Sequence, residues 1–227
     1  QGETYDFPEE FFHERIHNIR RPRPDDFQIK EAADLIKKSK KPIIIAGGGV
    51  FYSDATDELS DFAKKHNIPV TQTVMGYSSL KKDHSHYLGA IGGLGSKAAN
   101  NLSKETDTAI AIGTKLADFT TGSWANFENP DFKLISLNTA RFDTTKHLAT
   151  PVISDAKVGL QQISEALGDW KAPDPWYQRA IKERDEWDSY VQKHSGPTNQ
   201  KEPSYAHAVG AVYRNADPSD IVVTAAG

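Results

Sequence analysis

Five short apolar runs, separated by stretches of helix length, constrain this chain of 227 residues more than any other feature. The clearest is Pro42-Ile43-Ile44-Ile45-Ala46, followed at once by Gly47-Gly48-Gly49. Ile68 to Thr73 is a second, entered through Pro69 and closed at Gly76, and Thr108 to Ile112 is a third, ending at Gly113. Lys133 to Leu137 and Pro151 to Ile153 complete the set. Continuous apolar runs, without the alternation of a half-solvated strand, suit strands covered on both faces. Between them lie helical patterns: about Asp54 to His66 with Leu59, Phe62 and Ala63 inward, Ser96 to Glu105 with Ala98, Ala99 and Leu102, and Lys157 to Leu167 stopping near Gly168. Strand and helix in alternation imply parallel crossovers. The predicted fold is therefore α/β, a doubly wound, Rossmann-like parallel sheet of about five or six strands with helices on both faces.

The flanks read differently. Residues 1–24 are aromatic and charged, and Arg20-Arg21-Pro22-Arg23-Pro24 disfavours helix, which predicts an extended interdomain connector. Asp25-Asp26 then cap a helix in which Phe27, Ala32, Leu35 and Ile36 share a face, and which ends in a lysine-rich turn suited to the helix dipole. Beyond Trp170, the residues Trp176, Tyr177, Trp187 and Tyr190 among charges predict an amphipathic helix laid on another surface. Residues 195–203 form a loop, Ser204 to Tyr213 a further helix, and Val222 to Gly227 a strand entering a turn. The expected division is a connector at 1–24, the α/β domain at 25–170, a helical linker at 171–203, and the start of another domain at 204–227. Such a chain reads as a piece of a longer one.

Composition removes several classes of function. With 27 basic against 31 acidic residues the net charge is −4, which argues against phosphate-backbone binding and so against nucleic acid as a partner. No run of membrane-spanning length occurs and mean hydropathy is −0.59, so no membrane partner is expected. Zero cysteines exclude a disulfide framework, a thiolate nucleophile and a Cys-ligated metal, and fit a cytoplasmic location.

In an open parallel sheet ligands sit outside the carboxyl ends of the strands, so the small residues there are the candidate binding set. These are the Gly47-Gly48-Gly49 turn, Met75-Gly76, Gly95 within the cluster Leu88 to Gly95, and Gly113 before Thr114-Lys115. Asn138-Thr139 and the hydroxyl-rich loop Asp118 to Trp124 belong to the same rim. The triple glycine lacks full G-x-G-x-x-G spacing, because Val50, Phe51 and Tyr52 follow, and a tight βα turn that binds nothing is the competing reading. Asp83, His84 and His86 lack a nearby further ligand and read as a solvated loop rather than a metal site. His13 and His17 sit four apart on a possible helix but lack the glutamate of a zinc-protease motif. No G-x-S-x-G elbow occurs, and no catalytic or metal-ligating residue is assigned.

Four blocks in order carry a family resemblance: Pro42 to Gly49, Ile68 to Gly76, Leu88 to Gly95 with Ala98-Ala99-Asn100, and Asp107 to Gly113. Together they resemble the middle domain of thiamine-diphosphate enzymes of the acetohydroxyacid synthase group. Asp118 to Ser123, the Asn138 block through Phe142-Asp143 to Lys146-His147, and Tyr5 to Phe12 are similar to the branch that hydrolyses a trihydroxylated cyclohexanedione in inositol catabolism, a branch also labelled malonic semialdehyde oxidative decarboxylase. The resemblance implies a parent of three domains, with the cofactor-activating glutamate in the first and the Mg²⁺ and diphosphate G-D-G motif in the third. No G-D-G occurs here, so thiamine diphosphate and Mg²⁺ are expected in the parent and not on this chain, which alone should be inactive. It also implies the remaining domains as partners and a homo-oligomer at full length. Flavin-carrying relatives hold FAD in the middle crevice, at positions matching Gly47 to Gly49, Met75, Gly76, Gly95 and Gly113. After Gly113, however, Lys115 to Phe119 departs from their arginine-containing pattern, which weighs against FAD. A free-standing nucleotide- or flavin-binding module, or an acetolactate-synthase-like or decarboxylase parent, are the alternatives.

Overall fold

The computed structural model describes residues 3–18, 20–217 and 219–223. Six strands form one all-parallel sheet: β1 Pro42–Ala46, β2 Val70–Gln72, β3 Tyr87–Ala90, β4 Thr108–Ile112, β5 Lys133–Asn138 and β6 Thr150–Ile153. Their order is β3-β2-β1-β4-β5-β6, so the direction of winding reverses between β1 and β4. Such a reversal opens the crevice in which doubly wound sheets take ligands. The helices are α1 Asp26–Lys38, α2 Gly48–Tyr52, α3 Thr56–His66, α4 Lys97–Glu105, α5 Asp118–Thr121, α6 Arg141–Thr144, α7 Ala156–Leu167, α8 Asp174–Ser195 and α9 Tyr205–Asn215.

Local chemistry sets the helix ends. The Asp25 carboxylate accepts from the Gln28 amide at 2.8 Å, the Ser96 hydroxyl from Ala99 at 3.0 Å, and the Asp155 carboxylate from the amides of Lys157 and Val158, each removing an orphan donor. Asn67, left-handed at φ 56°, ends α3. Ser39 and the Lys40 and Lys41 amides all donate to the Asp107 carboxylate, which fastens the entry of β1 to the entry of β4.

Neighbouring residues of one strand feed opposite cores. Ile44, Ile110, Ile112, Ile135 and Leu137 pack with Ile36 of α1, Leu59 and Phe62 of α3 and Leu160 and Ile163 of α7. Ile43, Ile45, Ala109, Ala111 and Leu134 pack on the other face with Ala99 and Leu102 of α4 and Trp176 and Ala180 of α8. The sheet is therefore apolar on both sides, which is why its strands lack alternation.

Several expectations are corrected. Phe27 lies 73% exposed, and Ile29 and Ala33 join Ala32 and Ile36 on the buried face of α1 instead. Gly48 and Gly49 are the first turn of α2 and not a loop. Tyr87–Ala90, which overlaps the start of the glycine cluster Leu88 to Gly95 where no strand is expected, is the edge strand β3; it pairs with β2 through a register shift at Val70/Gln72. Helix α8 covers this same sheet rather than a foreign surface: the Trp176 indole, 4% exposed, donates to the Pro42 carbonyl at 2.8 Å. Glu9–Phe12 is a single 3-10 turn, and no helix joins His13 to His17. Ile221 to Val223 carry no strand, and the remainder of the expected terminal strand, 224–227, lies outside the described residues. Among the described residues no helix is long and apolar enough to cross a membrane.

Candidate functional site

The carboxyl ends of β1, β2 and β4 meet at the point of reversal, and there backbone touches backbone. The Gly47 amide donates to the Ile112 carbonyl at 2.8 Å, the Gly49 amide to the Gly113 carbonyl at 3.0 Å, and the Gly113 amide to the Leu137 carbonyl at 2.8 Å. A methyl group on Gly49 would sit 2.6 Å from the Gly113 Cα, and one on Gly113 would sit 2.5 Å from the Gly49 Cα. Gly113 also has φ +61°, where a side chain is strained in any case. Gly47 and Gly76 are confined in the same way, by Gly113 and by Ala46 respectively, while Gly48 approaches the Met75 carbonyl. The structure thus brings Gly47, Gly48, Gly49, Met75, Gly76 and Gly113 together. Gly95 stands apart, inside the turn after β3, where its amide donates to the Gly92 carbonyl at 2.8 Å and an added methyl would lie 2.7 Å from the Ala90 carbonyl oxygen. Each glycine of the candidate set has a packing reason to be glycine.

What the rim offers outward is apolar. Phe51 and Tyr52 after β1, Val74, Met75 and Tyr77 after β2, Leu94 after β3, Phe119 after β4 and Phe142 after β5 are all more than half exposed. Monomeric proteins seldom leave so many large apolar side chains on one edge without a partner or ligand for them.

A polar clamp beneath this rim has no signature in the sequence beyond two asparagines. The Asn100 side chain accepts from the Gly92 amide at 2.9 Å, donates to the Gly92 carbonyl at 3.0 Å, and receives Asn126 Nδ2 at 3.2 Å. The Gly93 amide donates to the Phe119 carbonyl at 2.9 Å, so the loops after β3 and β4 are fastened to one another. On the far side, Asn138 Nδ2 donates to the Thr114 carbonyl at 3.3 Å and its Oδ1 accepts from Ala140 at 3.1 Å. Asp118 and Ser123 bond to each other at 3.0 Å within the loop whose Phe119 carbonyl holds Gly93.

Two of the histidines are structural. His66 is fully buried between the Trp170 carbonyl at 2.8 Å and the Ser164 hydroxyl at 2.9 Å, and its pKa is lowered chiefly by that burial. His86 stacks on Tyr177 with ring centroids 4.5 Å apart and bonds to Asn67 and Ser85. Burial, then the charges of His84, Lys64 and Arg184, bring it down to about 4. Among the described residues no three His, Asp or Glu side chains converge as a metal site, so the donor set here does not fit a magnesium diphosphate.

The family of the thiamine pyrophosphate enzyme central domain matches residues 29–163, which span β1 to β6 and most of α7. Three similar curated relatives bear the name 3D-(3,5/4)-trihydroxycyclohexane-1,2-dione hydrolase. That of Clostridium perfringens is 46% identical over 167 residues, covering 74% of this chain and 26% of the relative. That of Clostridium tetani is 42% identical over 193 residues, covering 85% and 30%, and that of Geobacillus thermodenitrificans is 36% identical over 225 residues, covering 93% and 34%. The chain therefore spans about a quarter to a third of the length of these relatives. With a doubly wound sheet of order 3-2-1-4-5-6 beneath that match, the chain belongs to the family of thiamine pyrophosphate enzyme central domains.

Proposed function

We propose that this chain is the scaffold and interface domain of a thiamine-diphosphate-dependent cytoplasmic enzyme that hydrolyses trihydroxycyclohexane-1,2-dione in inositol catabolism, and that it has no turnover by itself. The observation that carries this reading is the 46% identity over 167 residues to a hydrolase of that name. In such an enzyme thiamine diphosphate supplies the chemistry that cleaves a carbon–carbon bond beside a carbonyl, with Mg²⁺ binding its diphosphate. Both are assigned to other domains of the parent, since no acidic cluster and no G-D-G sequence is found here among the described residues.

What this chain's own residues contribute is position. The close-packed glycines hold β1, β2 and β4 at fixed spacing, and the Asn100 clamp holds the loops after β3 and β4. The apolar rim from Phe51 to Phe142 is then a prepared face for the remaining domains or for a second subunit of a homo-oligomer. In this reading residues 1–24 connect to the preceding domain, 25–170 form the middle domain, 171–203 link onward, and 204–227 begin the next.

Incubating the full-length parent with the ring dione, thiamine diphosphate and Mg²⁺ tests the proposal. Ring opening by the parent and none by this chain is the expected result. Turnover by the chain alone, or a parent that only decarboxylates malonic semialdehyde or forms acetolactate, would overturn it. The competing nucleotide or FAD reading of Gly47 to Gly49, Met75, Gly76, Gly95 and Gly113 predicts flavin absorbance in the purified protein, which the packing of these glycines does not require.

A further inference from the structure

Ahead of α1 the chain is pinned to the domain. Pro24 is buried, Pro22 is half-buried, and the Arg-Pro steps at 21–22 and 23–24 hold the backbone extended. The Pro22 carbonyl accepts from the Asp155 amide at 3.0 Å and from the Ser154 hydroxyl at 3.4 Å, so this segment lies against the start of α7.

Arg21 supplies the strongest hold. Its Nη1 donates to the Asp155 carboxylate at 2.8 Å and to the Ser53 carbonyl at 2.8 Å, joining parts of the chain 134 and 32 residues away. Asp155 Oδ2 also accepts the Ser53 hydroxyl at 2.8 Å, while Oδ1 caps α7 through the Lys157 and Val158 amides. The Asp155 side chain is only 5% exposed, and among the described residues Arg21 is the one cation that reaches it. A carboxylate so buried is costly to leave without its cation.

This latch sits beside the rim. Ser53 ends α2 directly after Phe51 and Tyr52, which are 60% and 79% exposed. A free segment at 20–24 could pivot about Asp25 and carry whatever precedes it to any side of the molecule. Extended, proline-bearing backbone fixed at both ends cannot. The entering chain is instead held against the residue that follows Tyr52, which gives a domain tethered to it a high effective concentration at this end of the rim. A later domain or a second copy has no such tether to this corner.

We propose that Arg21 is a positioning residue: it latches the entering chain to the corner of α2 and α7 and so holds the preceding domain of the parent over Phe51 and Tyr52. This rests on the reading of residues 1–24 as an interdomain connector.

Hydrogen exchange of the amide at position 155, followed by NMR on this chain relative to the β4 amides, reports whether Pro22 is docked. Arg21→Ala should speed that exchange by at least about tenfold, the value of one charge-assisted hydrogen bond, and should lower the melting temperature because Asp155 loses its cation. Adding Asp155→Asn removes the stranded charge and keeps a cap on α7, so the double variant should regain most of the melting temperature while exchange stays fast. Slow exchange in the double variant would overturn the proposal, since Arg21 would then serve only to neutralise Asp155. Should the double variant melt early, Arg21→Gln takes its place, with the same fast exchange expected relative to β4.

Hydroxyl-radical footprinting then compares Phe51 and Tyr52 in this chain and in the full-length parent. Both side chains should be strongly modified in this chain, protected in the parent, and modified again in the parent carrying the double variant. Equal modification in chain and parent, or protection that survives the double variant, would overturn the proposal. Neither readout uses turnover, so a failure of the latch and a failure of the hydrolase reading are told apart.

Discussion

Gly113 concentrates at one position what the rim glycines do. It combines a left-handed backbone with an approach to Gly49 that leaves no room for a methyl group. Gly113→Ala should therefore cost about 2–4 kcal/mol, the sum of the left-handed penalty and overpacking, and lower the melting temperature by roughly 5–15 °C. A variant as stable as the parent sequence would show that the glycine serves a ligand and not the packing. The sequence marks such positions without stating their purpose, because a strand-end glycine looks the same whether a phosphate or another strand passes close by. The histidines carry the second prediction at this scale. His86, held neutral down to about 4, and His66, also lowered, take up protons in the unfolded chain near the ordinary imidazole value of ~6.5 before they do so in the folded one. Where the unfolded state binds more protons, stability rises with pH, so this contribution is fully present above about pH 6.5 and is lost as pH falls towards 4. Urea midpoints should drop across that window, and His86→Phe should make the drop shallower; a midpoint independent of pH would refute the assignment.

At the level of elements, legibility follows burial. β1, β4 and β5 announce themselves because both their faces are covered, and every one of Pro42 to Ala46 and Thr108 to Ile112 is buried. β3 does not, because it is an edge strand of four residues with a glycine inside, three of whose positions are only partly buried. α2 is hidden for a different reason: two of its five residues are glycine, and only the Gly49–Gly113 approach makes a helix there worthwhile. α8 is the element whose role the sequence misstates. Its aromatics suggest a separate surface, yet Trp176 seals the second core against Pro42, and Arg179 joins Glu183 and Glu105 across the seam to α4. Trp176→Ala should cost about 3–5 kcal/mol by opening that core, whereas Trp176→Phe, which keeps one aromatic ring but loses part of the indole volume and the bond to Pro42, should cost about 1–3 kcal/mol. Denaturant unfolding orders the two variants, and equal losses would mean that α8 is not part of the same cooperative unit as the sheet.

For the whole molecule, the question is why a well-packed sheet should present an apolar edge. Stability does not require it: Met75, Tyr77, Phe119 and Phe142 stand more than half exposed while the two cores behind them are complete without their help. The chain spans about a quarter of the length of its Clostridium perfringens relative, and the proposed function supplies the covering surface from the other domains or another subunit. This separates folding from function in a measurable way. Met75→Glu with Phe119→Glu places two charges on solvent-exposed positions, so this chain should melt within about 2–4 °C of the original, as surface changes do. In the full-length enzyme the same pair would bury two charges without partners, a cost of several kcal/mol at an interface, and ring-dione hydrolysis should fall by at least about tenfold together with subunit or domain association. Activity and assembly both preserved in the double variant would mean that the rim faces solvent in the parent too, and that the domain's contribution lies on another face.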